Sequence, residues 1–319
     1  MLKNQKLVAI SLILLFVLTM SLFSPISYAA KGKYRISVAL CTLNVPFFVE
    51  MKKGLEEEAA KQGVQLYIAD ANNSPGTQLA QVEDMITQKF DLIILNPADA
   101  KALIPAARAL NKSGIPWITL DRFVDEKGYI LHVGASAEMG GYFGGKALVK
   151  ALNGKGRVIV LEGIPGSSAS RDRSKGFTSV ISNYPGIKII AQQPADFSRQ
   201  KAMEVMENLL QAHRDIDAVY AYNDEMALGA INAIEAAGRK GIIVIGCDAE
   251  DEAIEAVKKG RMYATVDFAP RKTGRDAVRV AVQLLEGQEV QGVYFSQGKN
   301  WVPWVMTVAD IVDAQSLKK

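Results

Sequence analysis

Histidine and cysteine are scarce, two residues of each in a chain of 319. His132 and His213 stand in no metal-ligand motif, so neither a zinc centre nor a His-based catalytic relay is expected. Neither a Gly-x-Ser-x-Gly elbow nor a Gly-rich Lys-Ser/Thr phosphate loop occurs, which removes the common acyl-transfer and nucleotide-hydrolysing classes. Asp121 and Asp248 would suit glycoside hydrolysis only if they flanked one bond at fixed separation, and they lie in different halves of the chain. No enzyme, metal or cofactor is expected. Charge of one sign is lacking too. The 37 basic residues less Lys3 and Lys6 leave 35 against 34 acidic ones, a net of +1. A nucleic-acid surface needs a concentrated positive field, and none is offered.

Long apolar runs are absent after residue 23, but one precedes it. Lys3 and Lys6 lead into Leu7–Met20, continuing to Phe23, and Ser27-Tyr28-Ala29 supplies the small residues of an export cleavage site. An exported product cut after Ala29 is expected. The alternative, an uncleaved anchor, has a run nearly long enough to span a bilayer. A lipid anchor would want a cysteine just after the run, and the first is Cys41. Cys41 and Cys247 each end a predicted strand in different halves, so two separate thiols are expected.

What is present is alternation. Strand-like segments at Ile36–Leu40, Gln65–Ala69, Leu92–Leu95 and Trp117–Leu120 are separated by helical stretches at 47–61, 78–88 and 102–111. After a composition break at Asp125–Gly128 the series restarts with Arg157–Leu161, Lys188–Ala191, Ala218–Tyr222 and Ile242–Gly246. Helical stretches accompany them at 137–152, 175–183, 201–212, 225–237 and 252–259. Such alternation implies parallel sheets covered by helices on both faces, an α/β fold of two doubly wound parallel-sheet lobes. A single (β/α)8 barrel is the competing arrangement. The glycine-dense segment 140–145 lies inside a helical stretch and reads as a site of close helix packing, not as a dinucleotide loop.

In open parallel sheets, ligands sit outside the carboxyl ends of the strands. The residues just past each strand are Asn44–Phe48, Asp121-Arg122, Gly163–Arg173, Asp196-Phe197, Asn223–Glu225 and Asp248. Singly, Asp and Asn here are ordinary helix caps, and Asp224 and Asp251 are expected to be caps. Phe47 and Phe48 also fit a helix core. Together the positions combine carboxylate, amide and guanidinium groups with flat rings. That is the complement of a sugar, which offers neighbouring hydroxyls and apolar C–H faces.

At these same positions the chain resembles the sugar-binding proteins of ABC importers, specifically the ribose-binding group with the type I periplasmic binding fold. The resemblance runs from about Tyr34 to about Val293. It rests on TLNVPFF at 42–48, ITLDR at 118–122, EGIPGSSASRDR at 162–173, QPADF at 193–197, YNDEMALGA at 222–230 and IGCD at 245–248. Carried over by position, it implies ligand contacts at Phe47, Phe48, Asp121, Arg122, Arg171, Phe197, Asn223 and Asp248, with Phe268 at the last hinge contact. It also implies a periplasmic monomer with a three-segment hinge, a permease partner and sometimes a chemoreceptor partner. A C-terminal helix, about Arg271–Leu285, would return to the first lobe. The expected division is residues 1–29 as signal peptide, 33–135 plus about 269–300 as the N-terminal lobe, and 136–268 plus about 301–319 as the C-terminal lobe. Ribose binders carry asparagine, glutamine and phenylalanine where this chain has Val45, Phe268 and Cys247, so a different pentose, a hexose or a polyol is equally compatible. Two further readings share the architecture: a LacI-type regulator core, which would begin with a helix-turn-helix, and a binder of a non-sugar signalling molecule.

Overall fold

The computed structural model describes residues 33–297 and 300–318. The expected signal segment and its cleavage after Ala29 lie outside these residues. Among the described residues no helix is long and apolar enough to cross a membrane.

Two sheets organise the chain. In the first, β1 (Arg35–Leu40), β2 (Gln65–Asp70), β3 (Leu92–Leu95), β4 (Trp117–Leu120) and β5 (His132–Ala135) run parallel. The second holds β6 (Gly156–Glu162), β7 (Ile187–Pro194), β8 (Ala218–Ala221), β9 (Ile243–Ile245) and β10 (Ala264–Asp267), also parallel. The hairpin of β11 (Val293–Gln297) and β12 (Asn300–Thr307) extends the first sheet beyond β5, and β13 (Asp310–Asp313) pairs antiparallel with β10. The sheet orders are β2-β1-β3-β4-β5-β12-β11 and β7-β6-β8-β9-β10-β13. Both reverse direction at their first strand, between β1 and β3 and between β6 and β8, which makes each a doubly wound sheet with its own switch point. The barrel arrangement is thereby excluded.

Strands β1, β3, β4 and β8 are buried almost throughout, as parallel strands covered on both faces must be. The edge strands β2 and β7 alternate or face solvent. Helices α1 (Pro46–Gln62), α2 (Pro75–Thr87) and α3 (Ile104–Ser113) flank the first sheet. With the second sheet come α4 (Ala137–Leu152), α5 (Ser168–Ile181), α6 (Arg199–Ala212), α7 (Asp224–Ala236) and α8 (Asp251–Lys258). Helix α9 (Pro270–Leu285) returns to pack on α1, placing Gly274 against the Met51 carbonyl.

The chain passes between the sheets after β5, after β10 and after β12. Because β12 belongs to the first sheet, the last passage falls between Thr307 and Asp310. That corrects the expected boundary near residue 300. The break at Asp125–Gly128 is a loop within the first lobe, followed by β5, a short strand whose sequence HVGA carries too little apolar periodicity to announce itself.

Local sequence explains the helices that matter for the cleft. Pro46 opens α1 with a φ already suited to a helix, and Gly63 closes it in the left-handed region at φ +67°. Its inward stripe is Phe47, Phe48, Met51, Leu55 and Ala59. The glycine-rich segment lies inside α4. A Cβ on Gly141 would come within 2.0 Å of the Arg173 carbonyl oxygen, so α4 and α5 cross backbone to backbone. The caps differ from expectation: Asn223, not Asp224, caps α7 by accepting from Met226 N–H at 3.0 Å, and Asp251 is the first residue of α8.

Candidate ligand-binding cleft

The carboxyl ends of the two sheets face each other across a cavity of about 20 Å³. It is lined by Val45, Phe47, Phe48, Asp121, Arg122, Ala169, Arg173, Phe197, Asn223 and Asp248. The first lobe supplies Val45 to Arg122 and the second supplies the rest. Phe47 and Phe48 meet edge to face at 5.2 Å, and Arg122 lies over Phe48 at 5.1 Å and over Phe197 of the other lobe at 5.4 Å. Flat rings and charged planes thus form opposing walls.

Backbone strain concentrates here. Asp121, Phe197 and Asp248 have φ of +59°, +57° and +114°. Side-chain-bearing residues avoid this region, at a cost of roughly 1–3 kcal/mol each, and hold it where the surroundings impose it for function. Asp121 is oriented from behind by Asn96. The Asn96 Oδ1 accepts from Cys41 N–H at 3.1 Å, and its Nδ2 donates to the Leu120 carbonyl at 2.9 Å, tying the ends of β1 and β4 together. Gln78 in turn donates to the Asn96 carbonyl at 2.9 Å. Asn96 follows β3 and belongs with the other strand-end polar residues. It was not among the expected site residues, although the same strand-end rule would have found it.

The charges are balanced in pairs. Arg173 donates through Nη2 to Asp248 Oδ1 at 2.9 Å and through Nη1 to the Tyr222 carbonyl, with its guanidinium 4.5 Å from the Phe268 ring. Arg122 Nε stands 3.9 Å from Asp121 Oδ2. Arg122, Arg173 and Asp248 are buried, and Asp121 is 14% exposed. Burial pushes Asp248 up to about 7, against the pull of Arg173, and the Asp121 carboxylate adds to the rise. Burial likewise raises Asp121, with Arg122 and Arg173 opposing. Arg173 keeps its charge: burial is the largest influence and disfavours it, but Asp248, Asp121 and its other neighbours together outweigh that. Three buried donors, Arg122 Nε, Arg122 Nη1 and Arg173 Nε, have no hydrogen-bond partner among the described residues. Leaving such a group unpaired costs about 1–3 kcal/mol or more, so the cavity is built to receive acceptors.

The sequence profile of the periplasmic binding protein domain matches residues 36–289. The chain belongs to the periplasmic binding protein family. It is 41% identical to the ribose import binding protein of Bacillus subtilis over 293 residues, covering 89% of this chain and 95% of that one. The galactofuranose-binding protein of Escherichia coli is 37% identical over 229 residues, 69% of this chain and 72% of that one. Among solved structures, an Actinobacillus succinogenes solute-binding protein with bound D-allose superposes with a TM-score of 0.80 at 34% identity, covering 90% and 99%. A Bacillus halodurans solute-binding protein with bound myo-inositol gives 0.82 at 32%, covering 91% and 98%.

In this periplasmic binding protein the cavity gathers seven of the nine expected residues: Phe47, Phe48, Asp121, Arg122, Phe197, Asn223 and Asp248. Arg171 is not among them. Its side chain is 51% exposed and pairs with Asp125 and Asp172 outside the cavity, and Arg173 two residues later points inward instead. The segment SASRDR is helical from Ser168, so residues 171 and 173 project about 200° apart, and only the packed side of α5 faces the cleft. Phe268 is buried behind Arg173 and supports that guanidinium; it is not part of the lining. Cys41 and Cys247 are separate buried thiols, and burial raises both to about 12, which removes thiolate reactivity. His132, raised in the sequence as a lone histidine, is stacked on Phe123 at 3.9 Å and bonded to Thr119 at 2.9 Å. Burial holds it neutral, down to about 3.

Proposed function

We propose that this chain is the substrate-binding component of an ABC importer and captures one small neutral sugar or polyol by closing its two lobes. The observation that carries this reading is the charge-balanced cavity. Two carboxylates and two guanidinium groups with three unpartnered N–H donors sit between aromatic rings, and residues from both lobes contribute. Each hydroxyl of a polyol both donates and accepts, so it can satisfy Asp121 or Asp248 and an arginine at once, while Phe47, Phe48 and Phe197 cover its C–H faces. A charged ligand would leave one buried pair uncompensated. Relatives named for ribose and galactofuranose, and neighbours holding D-allose and myo-inositol, support the ligand class.

The mechanism follows from the divided lining. A cavity of about 20 Å³ has room for roughly one water, so a sugar enters only when the lobes part and the arginines swing back. Closing around the ligand brings both sets of contacts together, and the ligand stabilises that state by its extra affinity for it. Delivery to a membrane permease in the periplasm, after export with cleavage at Ala29, completes the proposal. A monomer and a chemoreceptor partner remain expectations of the same kind. Screening pentoses, hexoses and polyols by thermal shift tests it. At least one should raise the melting temperature in a concentration-dependent way, and a panel with no effect, confirmed by calorimetry, would overturn the ligand class.

A further inference from the structure

The lobes also touch outside the cavity. The segment 163–171, which leads from β6 into α5, lies against two first-lobe loops, 99–101 and 123–125. Ala100 N–H donates to the Gly166 carbonyl at 3.0 Å, and Phe123 N–H donates to Ser168 Oγ at 2.8 Å. Asp125 N–H donates to the Ala100 carbonyl at 2.8 Å, joining the two first-lobe loops. Gly166 sits at φ +91°, and a Cβ there would stand 1.9 Å from Asp99 Oδ2. That carboxylate cannot easily swing away, because its Oδ1 accepts from the N–H groups of Lys101 and Ala102. Over this surface runs one ion pair: Arg171 Nη1 reaches Asp125 Oδ1 at 3.3 Å and Oδ2 at 3.5 Å, while Asp172 holds Arg171 Nε at 3.1 Å.

Another stretch of the seam is built differently. A groove of about 690 Å³ runs between the lobes there and reaches Phe47 and Asp248 at the cavity. Its charges pair within their own lobe: Arg271 with Glu57 and Glu50, Arg275 with Glu57, Arg199 with Glu225 and Glu252.

We propose that Arg171 and Asp125 form a closure latch, a pair of positioning residues that raises affinity for every ligand by favouring the shut state without touching any of them. The proposal rests on the closure reading above. A contact made only when the lobes are shut multiplies the sugar-bound shut state by one factor, whatever the ligand, so where the free protein is mostly open the apparent affinity rises by that same factor. Asp172 keeps the guanidinium aimed at the seam when the lobes part, which lowers the ordering cost of remaking the pair. Since both partners are half exposed, the effect is modest and salt screens it.

The test uses Arg171→Ala, Asp125→Ala, the double variant and the charge swap Arg171→Asp with Asp125→Arg, titrated with ribose, D-allose and myo-inositol. Each single variant should weaken every sugar that binds by the same factor, about two- to fivefold. The double variant should be no worse than either single one, and the swap should restore part of the loss. Wild-type affinity for a neutral sugar should fall as salt rises from 50 to 500 mM (about a threefold shorter screening length), and the Arg171→Ala affinity should stay flat. Ligand-selective losses, additive single losses or unchanged affinities would overturn the latch. If the wild type binds no sugar at all, the ligand class fails while the latch is still decided. Spin-label distances between cysteines introduced at Lys61 and Lys240 should show a smaller shut population in ligand-free Arg171→Ala, and identical distance distributions would dismiss it.

Discussion

Asp121 sits at φ +59° in a buried turn, flanked by Arg122 and supported by Asn96. A carboxylate placed this way is worth about 1.5–3 kcal/mol to a ligand that donates hydroxyls to it. Asp121→Ala should therefore weaken binding about tenfold to 150-fold, with the melting temperature of the free protein little lowered. Titration calorimetry decides it, and an unchanged dissociation constant for a sugar the wild type binds would remove Asp121 from the site. Asp248 makes a second residue-level prediction. Its folded-state pKa of about 7 lies above the value for an unfolded aspartate, so the folded protein holds a proton that the unfolded chain has lost between about pH 4 and 7. Its contribution to stability is therefore complete below that window and is lost as pH rises through 7. Thermal melts of ligand-free protein from pH 5 to 8 should slope downward, and Asp248→Asn should flatten that slope. Hydroxyls donating to Asp248 favour its ionised form, so sugar affinity should rise over the same interval, with protons released on binding.

At the scale of elements, the crossing of α4 on α5 sets where Arg173 points. Gly141→Ala would press a methyl into the Arg173 carbonyl, a rigid backbone atom. The cost should be about 1–3 kcal/mol, with ligand affinity falling alongside stability because α5 carries Arg173. Gly76→Ala in α2, where a Cβ would meet nothing within 4 Å, is the control and should leave both unchanged or slightly improved. Differential scanning calorimetry with a parallel titration distinguishes the two. Elements also show what sequence reading could reach. Strands β1, β3, β4, β6 and β8 were legible because strands buried on both faces read as continuous apolar runs. The inward arginine of α5 was not legible: Arg171 and Arg173 lie in one polar hexapeptide, and local sequence does not state where a helix begins or which side it buries.

For the molecule as a whole, the divided cleft predicts a change of shape. Saturation with a bound sugar should shift the lobe-to-lobe distance distribution toward its shorter population, and an unaltered distribution would contradict closure. The first-loop residue Val45 lines the cavity with a side chain that offers no hydrogen bond, while Phe268 stands behind Arg173. A hydroxyl facing Val45 is left without a partner, so ribose should not be the tightest ligand in a panel of pentoses, hexoses and polyols. Side-by-side calorimetry checks this, and ribose binding more tightly than every other member would refute it. Cys41 and Cys247, each buried in its own lobe, should titrate as two free thiols per chain in denaturant without reductant, and resist labelling in the native state.

The sequence by itself determined the α/β alternation, the two doubly wound halves and seven cavity residues. Those follow from local rules: parallel strands buried on both faces are continuously apolar, and ligand groups in such sheets lie just past the strand ends. Only the tertiary structure decided the rest. It placed β12 in the first sheet, seated Asn96 behind Asp121, turned Arg173 inward and Arg171 outward, and moved Phe268 from the lining to a support. Each of these depends on contacts between segments remote in the chain, where helix facing and strand partner are chosen by packing that no local window contains.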